Sequence, residues 1–362
     1  MGQHYWRYCA TVATALTLGW AGSLDAAQRG GGGGRAPAFE DTPEILTEPV
    51  EGFIKLPEGL YFGEGIGVAE NSQGHVFVYT RSGDTRLFEF DEDGDYVREI
   101  GAGLYGFEFA HKVRVDKEDN IWVVDEGANQ VVKFNPEGRV TMVLGYRPPA
   151  VDGALAPEPG DHWGRSGRPG ANEPYLFARP TDVTWDTEGN IFVSDGYFNH
   201  RVVKYSPDGR FMGQVGSGDA GDAPDQFSTP HTIASDDSGR IYVGDRGNRR
   251  VKVYSSALEL LDMYEQTGAP WEICISEGEH QYLFVSNSNS DSNPAASWNT
   301  SGEVYKMELD GTVIGRFGEA GKDLGDFQTI HGMSCRNPNE IIIAEISAWR
   351  VQKILVASMP VF

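Results

Sequence analysis

Positive charge is scarce in this chain. Its 362 residues hold 30 Lys and Arg against 53 Asp and Glu, a formal net charge of -23. Nucleic-acid binders present a basic face, so the balance argues against DNA or RNA as a partner. A polybasic membrane patch is disfavoured for the same reason. The acidity supplies solubility. Long apolar runs are missing too. Cys9 to Trp20 is apolar but too short to span a bilayer. With Arg7 ahead of it and Ser23 to Ala27 behind, the run reads as a secretory leader over residues 1–27. The mature chain is therefore expected to be exported, with no transmembrane segment. Cysteine is nearly absent. Beyond the leader only Cys274 and Cys335 remain. An exported chain permits a disulfide between them; two buried small apolar residues are the other reading.

What the chain does have is repetition. Pro180-Thr181-Asp182-Val183, an Asp186-to-Gly189 turn, Asn190 to Asp195 and Arg201 to Tyr205 are echoed by four later segments. These are Pro230-His231-Thr232-Ile233, the turn from Asp236 to Gly239, Arg240 to Asp245 and Arg250 to Tyr254. Short β-branched and aromatic runs between turn residues are strands. A further run follows each copy, Phe211 to Val215 and Leu260 to Tyr264, giving four strands per repeat. Four further copies start at Ile66, His111, Trp271 and His331. Six four-stranded repeats predict a single all-β domain, a six-bladed β-propeller. The domain is expected over residues 50–362, behind a flexible Gly- and Pro-rich segment at 28–49 that includes Gly30 to Gly34. Blade six lacks a fourth strand, and Gly52 to Leu56 is expected to supply it, closing the ring. Gly145 to Ala178, with His162 and Trp163, reads as a long loop over one mouth of the channel.

Aligning the repeats places Ile66, His111, Thr181, His231, Trp271 and His331 at one register of the innermost strand. Innermost strands line the channel, so histidines from alternate blades sit at one height in a triangle. Three such ligands with an open fourth position suit a catalytic zinc. A single channel histidine is ordinarily a hydrogen-bonded structural residue; the coincidence of three points to a metal. At the end of each second strand an acid recurs, Asp125, Asp195, Asp245 and Glu345, expected to hold turn backbone. Arg81 and Arg246 follow this position in blades one and four, and Tyr197 lies two residues past Asp195. An Arg fork suits a carboxylate, and a tyrosine among cations can serve as a base.

These residues carry a resemblance. The repeats are similar to NHL repeats, and the blades resemble peptidyl-α-hydroxyglycine α-amidating lyase, the lyase half of the peptide-amidating monooxygenase. Ser194-Asp195-Gly196-Tyr197 with Asn199 and Arg201, and Gln226-Phe227 through Asp245-Arg246, are its sharpest segments. The resemblance implies a propeller that splits a small peptide-like substrate, a peptidyl hydroxyglycine, into an amide and glyoxylate. It implies zinc on His111, His231 and His331, and catalytic roles for Arg81, Tyr197 and Arg246. It also implies a structural calcium held by the backbone carbonyls of Val68 and Val113. Here the chain departs, because Gly332 stands where the family has an Asp ligand. Thr329 replaces a Met near the metal, and Phe198 replaces a disulfide cysteine. Two other classes compete. A non-catalytic NHL module would bind a peptide, glycan or protein at the mouth and has no need of a three-His register. A calcium-dependent lactonase would want carboxylate and amide ligands in the channel.

Overall fold

The computed structural model describes residues 42–146, 173–216, 218–288 and 301–358, all within a unit spanning 33–362. The expected leader, the Gly30 to Gly34 tether, His162, Trp163 and most of the Ser/Asn-rich stretch from Ser286 to Ser301 lie outside the described residues.

Six four-stranded antiparallel sheets form a six-bladed β-propeller. Blade one is β2 (Glu64–Glu70), β3 (Val76–Arg81), β4 (Arg86–Phe90) and β5 (Tyr96–Ile100). Blade two is β6 (Ala110–Val115), β7 (Ile121–Asp125), β8 (Gln130–Phe134) and β9 (Val140–Gly145). Blade three is β10 (Asp182–Trp185), β11 (Ile191–Asp195), β12 (Arg201–Tyr205) and β13 (Phe211–Val215). Blade four is β14 (Pro230–Ser235), β15 (Ile241–Asp245), β16 (Arg250–Tyr254) and β17 (Leu260–Tyr264). Blade five is β18 (Pro270–Ile275), β19 (Tyr282–Asn287), β20 (Glu303–Glu308) and β21 (Val313–Phe317). Blade six joins β22 (Ile330–Asn337), β23 (Glu340–Glu345) and β24 (Arg350–Val356) to the early strand β1 (Thr47–Val50).

In blades two, three and four the first turn is built by its own aspartate. In blade three, Asp186 accepts hydrogen bonds from the backbone of Glu188 and Asn190. Gly189 closes that turn at φ +78°, which favours glycine. Asp236 repeats the device in blade four. The core lies in the seams between blades. One apolar cluster joins blades two and three through Trp122, Val131, Val193 and Tyr205, and another joins blades four and five through Tyr242, Val253, Leu283 and Tyr305.

The ring closes as expected in kind but not in place. Thr47 to Val50, not Gly52 to Leu56, pairs with β24, with Pro49 opposite Ile354. An outermost strand bonds on one side only, so it tolerates a proline. Gly52 to Leu56 instead flanks blade one. Lys55 bridges to Asp95, and Phe53 packs with Phe88 and Phe90 at the seam of blades six and one. Just ahead of β1, Ile45 is buried and donates its N–H to the Arg316 carbonyl. Cys274 and Cys335 form a disulfide between blades five and six.

Candidate metal centre

Five of the six innermost strands carry one extra residue at the aligned register, and β10 begins just past it. In blade four, Pro230 opposes Asp245 and Thr232 opposes Gly244, leaving His231 on the bulge. His111 and His331 occupy the same bulge in blades two and six. Such bulges turn a side chain out of the strand's ordinary alternation. Here they turn three imidazoles together. The ring centroids are 4.8, 4.7 and 4.8 Å apart, close to an equilateral triangle, and all three rings are buried.

The intervening blades fix the rings. His111 Nδ1 lies 2.5 Å from the Thr181 carbonyl, His231 Nδ1 2.7 Å from that of Trp271, and His331 Nδ1 2.8 Å from that of Ile66. A carbonyl only accepts, so each Nδ1 carries the proton and each Nε2 presents a lone pair. Metal-binding histidines are oriented in this way. The Nε2 atoms lie within 4.8 Å of one another, close enough for the three histidines to hold a metal ion. The Nε2 of His331 is buried without a hydrogen-bond partner, a cost of about 1–3 kcal/mol if nothing binds there. The residues present therefore fit a metal. Burial, reinforced by the Lys112 and Arg81 charges, holds His111 well below the ordinary imidazole range. His231 and His331 are depressed likewise, again chiefly by burial. The neutral, ligating form is thereby favoured.

Tyr197 faces this triangle. Its hydroxyl lies 3.1 Å from His111 Nε2 and 3.2 Å from His231 Nε2, and as the proton carrier it donates. The turn bearing it is pressed against blade four. A Cβ on Gly196 would sit 1.9 Å from the Pro230 carbonyl oxygen, so only glycine fits. Arg246 opens a single 3-10 turn, Arg246–Asn248. Its guanidinium lies 4.2 Å from the Trp271 ring centroid and 5.5 Å from that of Tyr197, with a buried, unpartnered Nη1. Arg81 is engaged instead. It donates to Glu64 at 2.9 Å and to the Ala110 carbonyl at 3.2 Å. The recurrent acids hold backbone: Asp125 accepts from Glu108, Phe109 and Ala128, and Asp245 from Ser228.

Two site residues escape the sequence reading. Glu126, fully buried, lies 3.6 Å from His111 Nε2 and 3.7 Å from Arg81 Nη1. It also pairs with Arg179, whose guanidinium lies 4.6 Å from the Tyr197 ring centroid. Glu126 follows Asp125 as Arg81 follows Thr80 and Arg246 follows Asp245, so the same alignment contains it. Arg179 is aligned with Glu64, Phe109, Thr229, Ala269 and Thr329, so no recurring residue type marks its place.

One layer further along the channel, Lys112, Arg114, Asp182 and Glu272 form a buried, charge-balanced cluster. Lys112 donates to Glu272 and to the His331 carbonyl. Arg114 bonds both Asp182 and Glu272. The implied calcium does not fit this layer. Gly332 offers no ligand, and a Cβ there would meet Gly67 Cα at 2.8 Å and the Val68 nitrogen at 2.9 Å. Both carboxylates of this layer, Asp182 and Glu272, are already paired with cations, which leaves this layer without the free ligands a calcium-dependent lactonase needs.

Residues 227–254 match the NHL repeat. The chain is similar to "Probable peptidyl-alpha-hydroxyglycine alpha-amidating lyase pgal-1" of Caenorhabditis elegans, 28% identical over 261 residues, 63% of this chain and 68% of that one. It is 32% identical over 196 residues to peptidylglycine alpha-amidating monooxygenase of Rattus norvegicus, 51% of this chain but only 18% of the rat protein's length. NHL repeat-containing protein 3 of Homo sapiens is 27% identical over 335 residues, 86% and 85% of the two chains. Among solved structures, a streptogramin B lyase superposes with a TM-score of 0.51 at 14% identity, covering 86% of this chain and 98% of that one. That last likeness shows the fold alone. No helix among the described residues is long and apolar enough to cross a membrane.

Proposed function

We propose that this protein is an exported, zinc-dependent carbon–nitrogen lyase. It acts on a small peptide-like carbinolamide with a neighbouring carboxylate, such as a peptidyl α-hydroxyglycine, and yields an amide and glyoxylate. The observation that carries this is the triangle of Nδ1-anchored histidines with the Tyr197 hydroxyl over it. Similarity to the amidating lyases supports it, and the Cys274–Cys335 disulfide supports an oxidising compartment.

His111, His231 and His331 would hold the zinc, which when bound supplies Lewis acidity at the substrate hydroxyl. Arg246 receives the substrate carboxylate, because its buried Nη1 lacks a partner. Tyr197 Oη relays the proton. As the C–N bond breaks and the carbonyl forms, the phenol gives its own proton to the departing amide nitrogen and takes the substrate hydroxyl proton in its place, ending protonated as it began. The guanidiniums over the Tyr197 ring offset negative charge gathering there in the transition state. Arg81, its fork occupied by Glu64 and Ala110, contributes positive potential rather than a carboxylate clamp. The buried cluster below the histidines leaves the substrate to enter from the Tyr197 side.

The test is glyoxylate release from α-hydroxyhippurate. The zinc-loaded protein should release it and His231→Ala should not. The competing reading, a binding module, draws on the long match to NHL repeat-containing protein 3. Absence of release from the zinc-loaded protein would favour that reading.

A further inference from the structure

We propose that Glu126 and Arg179 are positioning residues for Tyr197, a buried ion pair that holds its hydroxyl over the three-histidine site. This deepens the lyase reading and rests on it. Glu126 is 1% exposed, yet it stands at the mouth-side end of β7 beside a ligand histidine. It lies between two guanidiniums, Arg81 and Arg179. Arg179 is clamped at both ends of the residue. Its backbone N–H donates to Asn129 Oδ1 at 2.8 Å, and its carbonyl accepts from Tyr197 N at 3.4 Å. Its guanidinium covers the Tyr197 ring and reaches toward Phe198, 5.7 Å from that centroid.

One physical point sets this apart from ordinary stabilisation. A buried ion pair is itself weak evidence for stability, since desolvation offsets the attraction. The left-handed backbone of Arg179, φ 59°, belongs to the repeat, for Thr229 takes φ 58° at the equivalent place in blade four; particular to blade three are the ion pair and the guanidinium over the Tyr197 ring. The desolvation is spent where the phenol must be aimed. Arg179 touches the phenol ring, Glu126 fixes Arg179, and Arg81 completes the frame.

The experiment compares Glu126→Gln, Arg179→Met, Arg179→Lys and the double variant Glu126→Gln/Arg179→Met, all zinc-loaded. Each single change should lower kcat about 10- to 100-fold, the range for groups that orient a metal site, with KM within about threefold. The double variant should be no worse than the poorer single one, because the pair acts as a unit. Arg179→Lys should not rescue, since an ammonium cannot stack and pair as a planar fork does. Zinc content should stay at the wild-type level throughout. A crystal structure of Arg179→Met supplies the readout without activity: Tyr197 Oη should leave its place between His111 and His231. Unchanged kcat, additive losses, losses that track zinc content, or an undisplaced Tyr197 would each overturn the proposal. If the wild type releases no glyoxylate, the lyase reading fails, and the crystal structure still decides whether the pair aims Tyr197.

Discussion

At the scale of single residues, the proposed reaction separates groups that bind from groups that move protons. Tyr197→Phe removes only the hydroxyl. Glyoxylate release should fall about 10²- to 10⁴-fold while zinc content, measured by elemental analysis, stays at the wild-type value. The histidines make a second prediction, for the metal-free protein. Their folded-state pKa values are depressed by burial, so below about pH 6.5 the unfolded chain binds more protons than the folded one. The stability they contribute is fully present above that pH and is lost as pH falls toward the depressed values. The three together give a slope of up to about 4 kcal/mol per pH unit. Urea unfolding of apoprotein between pH 7 and 5 measures it, and a pH-independent midpoint would contradict the buried neutral triad. The histidine register was legible because six repeats can be aligned and three share one residue type. Glu126 was legible in principle but lost beside the more conspicuous arginines at its position. Arg179 was not, because its backbone place recurs in the repeat, as at Thr229 with φ 58°, whereas an arginine there occurs in blade three alone and its reach to Glu126 and Tyr197 leaves no pattern in the sequence.

At the scale of strands, inner and outer positions differ in how plainly they are written. The second strand of each blade is buried on both faces, as in Ile241 to Asp245, and reads as a nearly continuous apolar run. Strand β1 carries Glu48 and Pro49 and is largely exposed, so its pairing left no periodic signal. The apolar Phe53, Ile54 and Leu56 drew the assignment because they pack into a seam, not a sheet. Deletion of residues 1–38 should leave the melting temperature unchanged, whereas deletion through Val50 strips the edge of blade six and the buried Ile45. Calorimetry should then show a broad transition at lower temperature, with aggregation from the exposed edge. Equal melting curves for the two truncations would contradict the closure.

For the whole molecule, the ring is held by apolar seams, the early strand and one covalent link. The disulfide closes a loop of 61 residues, for which the chain-entropy model gives about 4 kcal/mol. Cys274→Ala/Cys335→Ala should lose stability of that order in urea titration, while keeping its zinc, since neither sulfur reaches the histidines. Calcium should be dispensable. The Lys112, Arg114, Asp182 and Glu272 cluster balances its own charge, so a calcium-selective chelator should leave the melting temperature where it was. A calcium-dependent rise would contradict the closed channel layer.

The central claim is that chemistry occurs at a metal held by His111, His231 and His331. It is tested most directly by titrating zinc into apoprotein while following glyoxylate release from α-hydroxyhippurate. Release should be absent without metal, rise in proportion to bound zinc and saturate at one zinc per chain. Release from apoprotein undiminished by chelation, or none at one bound zinc, would contradict it.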